Sequence, residues 1–228
     1  MDATSVRTSV RTSASLSGRK AEAARNDQAI LDAARLVFIR DPGAPISAVA
    51  EAAGVGIGAL YRRYASKDEL LQTLCADGLH RFIAIAEAAA ADDGDPWQAF
   101  AGFVGAIIDS DVHSLTVHLA GTFVTTDELR LLADRAGTLA VGVFERAQAA
   151  GALRADLHSN DLSMLFEQIT AIRLGDAERT ATLRRRYLAL VLDALQPQAA
   201  TSPLPGPPPG SDELSRRWHP APAPIKRT

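Results

Sequence analysis

Ile46-Ser47-Ala48-Val49-Ala50-Glu51-Ala52-Ala53-Gly54-Val55-Gly56-Ile57-Gly58-Ala59-Leu60-Tyr61-Arg62-Arg63-Tyr64 is the stretch on which the reading of this chain turns. A short helix from about Ser47 to Ala53 stops at Gly54, the residue type that enters a left-handed turn at least cost. A second short helix covers about Ile57 to Arg63. Ala50 is small where two helices must cross closely, and Val49, Val55 and Leu60 are spaced to form the little core between them. Tyr61, Arg62 and Arg63 are left on or near the exposed side of the second helix. A helix held this way fits the major groove of duplex DNA. Arginine there forks onto guanine or pairs with phosphate, and a tyrosine hydroxyl reaches a phosphate. The glycines at 54, 56 and 58 do not make a dinucleotide loop. That fingerprint follows a strand, and here an alanine-rich helix precedes it.

Outward from this motif the pattern stays helical. Ile30, Ala34, Val37 and Phe38 form an apolar stripe that stops at Asp41-Pro42-Gly43. Ser66 precedes Lys67-Asp68-Glu69-Leu70, whose acids suit the first turn of a long helix reaching about Ala91. Asp92 to Pro96 is a break, with Pro96 at the first turn of the next helix. Trp97, Phe100, Phe103, Val104, Ile107 and Ile108 then recur with helical period, and His113 to Val124 is a further apolar segment. Thr126 caps a helix running to about Ala150 and closed by Gly151. Ser159 or Asn160 caps the next, and the last runs from about Ala177 to Leu195, ended by Pro197. About nine helices and no strand are expected, an all-α fold.

The motif at 46–64, with Ser66-Lys67-Asp68-Glu69-Leu70-Leu71 after it and Ile30-Leu31-Asp32-Ala33-Ala34 and Phe38 before it, resembles the DNA-binding domain of the TetR family of bacterial transcriptional regulators. The resemblance covers roughly residues 24–75. Gly151 to Asp156 and Arg186 to Leu195 are similar, more weakly, to that family's regulatory domain. It implies a three-helix helix-turn-helix domain followed by a helical bundle that binds a ligand and dimerises. It implies DNA contacts from Ser47 on the second helix, from Ile57, Gly58, Ala59, Tyr61, Arg62 and Arg63 on the third, and from Lys67 at the start of the fourth. Two departures stand out. Pro45 removes the hydroxyl that usually heads the second helix, and Gly56-Ile57-Gly58-Ala59 is nearly free of polar atoms.

The expected organisation is a disordered basic arm over 1–21, the DNA-binding domain over 22–75, the regulatory and dimerisation domain over 76–196, and a proline-rich disordered tail over 197–228. The charge follows this division. Net charge is −3, but the first 75 residues hold ten Lys/Arg against eight Asp/Glu and the remainder is acidic. A basic arm suits an anionic partner, and Arg19, Lys20 and Arg25 are placed on DNA with the reading helix. Trp218, alone in the tail, reads as an exposed residue.

The rest of the composition excludes more than it selects. With one cysteine in 228 residues there is no internal disulfide framework. No uncharged apolar run spans a membrane, and no secretory signal heads the chain, so a reduced, cytoplasmic protein is the expectation. His113 and His118, with Asp109 and Asp111 nearby, do not share a helix face, so they read as structural or pocket-lining rather than metal ligands. Cys75 reads as a packing residue, and Arg184-Arg185-Arg186 as a solvated helix side. No nucleophile–base–orienter set is visible, so neither an enzyme nor a cofactor is expected. Phe82, Phe100, Phe103, Val104, Ile107, His118, Phe123 and Phe144 are core residues first and candidates for lining a ligand cavity. Leu162, Leu165, Phe166 and Ile169, with Tyr187, Leu188, Val191 and Leu195, are too many apolar groups for one intrachain face, so some are expected to bury against a second copy. The resulting function is a homodimeric repressor that binds a palindromic operator and responds to a small-molecule effector. The alternative is a helical small-molecule binder or enzyme with no DNA-binding role, which needs neither the basic arm nor Tyr61, Arg62, Arg63 and Lys67.

Overall fold

A computed structural model of the chain describes residues 26–119 and 121–217; the side chains at 114 and 116–118 are outside that description. Every regular element among the described residues is helical. The chain divides into two compact units, Met1–Lys67 and Asp68–Thr228. The division falls inside the segment 22–75 that the sequence groups together.

The first unit holds α1 (26–40), α2 (Ile46–Ala52) and α3 (Ile57–Arg63). Ile30, Ala34 and Phe38 are buried from α1, Val49 and Ala50 from α2, and Leu60 from α3. Val55 is only half-buried. The turn between α2 and α3 is built at Gly54, with φ +67°. Gly54 N–H donates to Glu51 O and Val55 N–H to Ala50 O, at 3.1 and 3.0 Å. These are the paired bonds of a Schellman ending, which satisfies carbonyls that the helix leaves open. A side chain at 54 would meet no neighbour, so backbone conformation alone selects glycine there.

The second unit holds most of α4 (Lys67–Ala90), then α5 (Pro96–Ser110), α6 (Val112–Leu119), α7 (Asp127–Ala149), α8 (Asp161–Thr170) and α9 (Ala177–Leu195). Local chemistry sets most boundaries. Pro96 sits in the first turn of α5, and Asp95 accepts from Gln98 N–H at 2.9 Å. Thr126 accepts from Leu129 N–H at 3.2 Å, and α7 ends at Gly151 in the same double-bonded way as α2. The core forms around α5, which buries Phe100, Phe103, Val104, Ile107 and Ile108, the stripe expected of a helix packed on one face. Phe103 meets Phe82 edge-on at 5.7 Å and Phe166 at 6.4 Å between centroids.

Arginines finish two helix ends that their own side chains do not cap. Arg146 of α7 donates to Ala89 O and Ala90 O at the end of α4. Arg184 of α9 donates to Thr170 O at 2.6 Å and Ile172 O at 3.2 Å at the end of α8. It also pairs with Asp111 at 3.0 Å, and Asp111 ends α5 in the left-handed region at φ 52°. The triplet at 184–186 is therefore not one solvated face. Arg184 is buried because its planar fork donates to two carbonyls at the end of α8, where a cation also complements the negative helix terminus, while Asp111 balances its charge. Arg185 pairs with Asp109, and Arg186 is exposed.

Beyond α9 the proline-rich segment forms a short 3-10 turn (Pro197–Ala199) and α10 (Ser211–Arg216). Its prolines keep it out of any long helix, as the sequence suggests, yet over 197–217 it is bonded to the body. Trp218 lies outside the described residues.

Candidate nucleic-acid interface and cavity

The α3 helix is anchored from beneath. Leu60 and Tyr64 are buried on one side of α3, and Ile57, Gly58, Ala59, Tyr61, Arg62 and Arg63 are exposed. Tyr61 is 50% exposed and Ile57 43%. Ser47 is exposed near the start of α2, which Pro45 heads in an extended conformation without a side-chain cap. A methyl group on Gly58 would sit 3.7 Å from Arg62 Nη1, an ordinary contact. The Arg62 guanidinium thus lies over Gly58, on a strip of surface with no side chain of its own. Arg19, Lys20 and Arg25 lie outside the described residues.

Two of the expected DNA-contacting cations are turned to the protein. Arg63 makes a bidentate pair with Asp27 of α1, at 2.7 and 2.8 Å, and stacks at 5.6 Å over the Tyr64 ring. The Lys67 ammonium donates to Ala44 O at 2.7 Å and Pro42 O at 3.1 Å, and stands 5.1 Å from the Phe38 ring centroid. It ties the turn after α1 to the start of α4. Lys67→Met keeps much of the aliphatic stem and removes both bonds. It is expected to cost about 1–3 kcal/mol, because two carbonyls lose a charged donor. Thermal unfolding checks this, and an unchanged midpoint would show that the ammonium holds nothing.

The second unit contains a cavity of about 390 Å³ between α4, α6 and α7. Its walls are mainly apolar. Gly78, Ala133, Ala136 and Gly137 leave the space, and Phe82, Phe123 and Leu129 line it. Phe100, Phe103, Val104, Ile107 and Phe144, which the sequence also offered as lining, are committed to the packed core around α5. His118 lies outside the described side chains. His113 lines the cavity, and its Nε2 is buried without a hydrogen-bond partner. Burial pushes its imidazole down to about 4, and the Arg217 guanidinium adds to this while a hydrogen bond to the Ser163 backbone opposes it. The ring is thus neutral at neutral pH, able to exchange a hydrogen bond with an uncharged group. Cys75 also lines the cavity, and burial pushes its thiol up to about 12. Among the described residues no group of His, Cys, Asp or Glu is gathered to hold a metal, and no helix is long and apolar enough to cross a membrane.

Of the residues offered for dimer contact, Leu162, Phe166, Ile169, Leu188 and Leu195 are buried in their own chain's core, with Leu165 and Val191 half-buried against it. Tyr187 is exposed. Leu190, three residues on and 58% exposed, shares the outer side of α9 with it. The sequence signal for Leu190 was its i, i+3 spacing from Tyr187.

These features define a helix-turn-helix unit followed by a helical bundle. Residues 30–74, which span α2, α3 and parts of α1 and α4, match the family model of the bacterial regulatory proteins of the tetR family. Solved structures of the same fold include LfrR, a TetR-like transcriptional regulator of Mycobacterium smegmatis in complex with proflavine. It is 23% identical, with 79% of this chain and 99% of that chain covered and a TM-score of 0.58. The ketosteroid transcriptional regulator KstR2 of Mycobacterium tuberculosis is 20% identical, covering 75% and 94%, with a TM-score of 0.57. A TetR transcriptional regulator of Streptomyces coelicolor is 24% identical, covering 76% and 99%, with a TM-score of 0.51. No curated protein sequence matches the chain.

Proposed function

We propose that this chain is a homodimeric repressor that binds a palindromic operator and leaves it when a small molecule occupies the second unit's cavity. The supporting observation is α3, held from beneath by Leu60 and Tyr64 with Ile57, Gly58, Tyr61 and Arg62 facing out. One such helix per chain makes few base contacts, so two half-sites read by two chains are needed for a specific complex. The outer side of α9, with Tyr187 and Leu190, is the apolar surface offered to the second copy. Effector response is supported by one element. Lys67 opens α4, and Cys75, Gly78, Leu79 and Phe82 further along it line the cavity. The ligand class that suits these walls is a largely apolar molecule with one polar group directed at His113.

A mobility-shift titration with the DNA flanking the chain's own gene tests the reading. A shift at nanomolar protein, with one dimer per site, is the expected result. Binding no tighter than to unrelated DNA would reject the repressor and favour a small-molecule binder.

A further inference from the structure

We propose that residues 202–217 form a strap that completes one wall of the second unit's cavity and controls access to it. The strap's regulatory meaning rests on the effector reading of the cavity; its geometry does not. Four anchors hold it. Arg154 Nη2 donates to Ser202 O at 2.8 Å, and Leu204 N–H donates to Asp156 Oδ2 at 2.8 Å. Asn160 Nδ2 donates to Pro209 O at 2.8 Å, and Arg217 pairs with Glu167.

The sequence offsets across these anchors are 48, 48, 49 and 50 residues. The strap therefore runs alongside the α7–α8 connection and α8 in the same direction and nearly in step. A segment that drifted over the surface would not keep such a register. Asn160 stands at the N-cap of α8 but makes no side-chain cap bond there, and its amide holds the strap instead. Arg154 and Asp156 are paired with each other, and both also reach the strap. Pro203, Pro205, Pro207, Pro208 and Pro209 restrict the free segment to extended conformations, so little disorder is lost when it docks.

At its end the strap turns into α10, where Gly210 N–H donates to Glu213 Oε2 at 2.6 Å. That turn delivers Ser215 to the cavity, as the lining residue from beyond α7. Arg217 then lies close enough to act on the His113 imidazole. A ligand in the cavity thus meets the strap, and a loosened strap opens the cavity beside His113.

Cys75, the chain's one cysteine, is buried in the cavity wall and reports access. The rate of its alkylation by N-ethylmaleimide is measured in the full chain, in a chain ending at Ala200, and in Asn160→Ala/Arg217→Ala. Opening exposes a group that otherwise reacts only through fluctuations, so the rate is expected to rise roughly tenfold in the shortened chain and about threefold in the double variant. Circular dichroism establishes that helix content is kept. Rates equal to that of the full chain in both folded variants would overturn the strap. Should the shortened chain fail to fold, an unchanged rate in the double variant alone would do so. The measurement needs neither DNA nor effector, so it stands apart from the repressor reading.

Discussion

Arg62→Ala is expected to weaken operator binding more than any other single exchange on the surface of the first unit. The side chain is exposed on the outer side of α3 and lies over Gly58, which has no side chain of its own. A bidentate arginine–guanine contact contributes about 1–3 kcal/mol, and a two-fold complex loses it twice, so the loss is about 2–6 kcal/mol. Affinity should fall between roughly thirty-fold and twenty-five-thousand-fold, while binding to unrelated DNA falls far less because phosphate contacts carry no sequence information. Arg63→Ala is the informative companion. Arg63 is paired with Asp27, so its loss loosens α3 against α1 as well as removing charge. Equal affinity of Arg62→Ala and the unaltered protein, measured by titration at fixed salt, would move base reading to another element.

Phe38→Ala is expected to have the largest effect on folding of the first unit. Phe38 is fully buried, it closes the apolar stripe of α1, and the Lys67 ammonium rests against its ring. Removing a buried phenyl costs about 3–5 kcal/mol, a large share of the stability of a unit this small. Amide exchange in α1, α2 and α3 should approach that of an open chain, and operator binding should vanish with it. The amides of α5, in a different core, should stay protected. Unchanged protection in α1–α3 would show that Phe38 is not what holds those helices together.

The reading motif was legible because its information is local. Gly54, Ala50 and Leu60 each satisfy a requirement set within the nineteen residues of the motif at 46–64, and the bonds at Gly54 are those the sequence implies. The same holds for Pro96, Thr126 and Gly151 at helix boundaries. What was hidden depends on partners far along the chain. Nothing near Lys67 announces that its ammonium will meet the carbonyls of Pro42 and Ala44, and nothing near Arg184 announces Thr170. The cavity was hidden for another reason. Apolar periodicity finds side chains that fill space, so it pointed to α5, where the space is filled. The cavity arises where side chains are missing, at Gly78 and at Ala133, Ala136 and Gly137. Small residues at i, i+3 and i+4 on α7 were the available signal. The prolines after Leu195 correctly exclude a long helix but carry no information about Arg154, Asp156 or Asn160, which hold the segment down.

The pairing of Arg63 with Asp27 and of Lys67 with two carbonyls bears on how the proposed regulator would search DNA. Association with any duplex is driven largely by release of the cations condensed on it, and each phosphate neutralised steepens the salt dependence by a slope of about 0.9. A reading head whose lysine holds carbonyls and whose arginine holds Asp27 displaces fewer of those ions. Under the proposed function, its grip on random sequence is expected to be slight, with less time spent sliding on DNA that lacks the operator. In the DNA-binding reading proposed above, hold on random duplex is then expected to rest on Arg62 and on Arg19, Lys20 and Arg25 ahead of α1, and a salt titration of a chain lacking residues 1–25 checks it by a flatter slope.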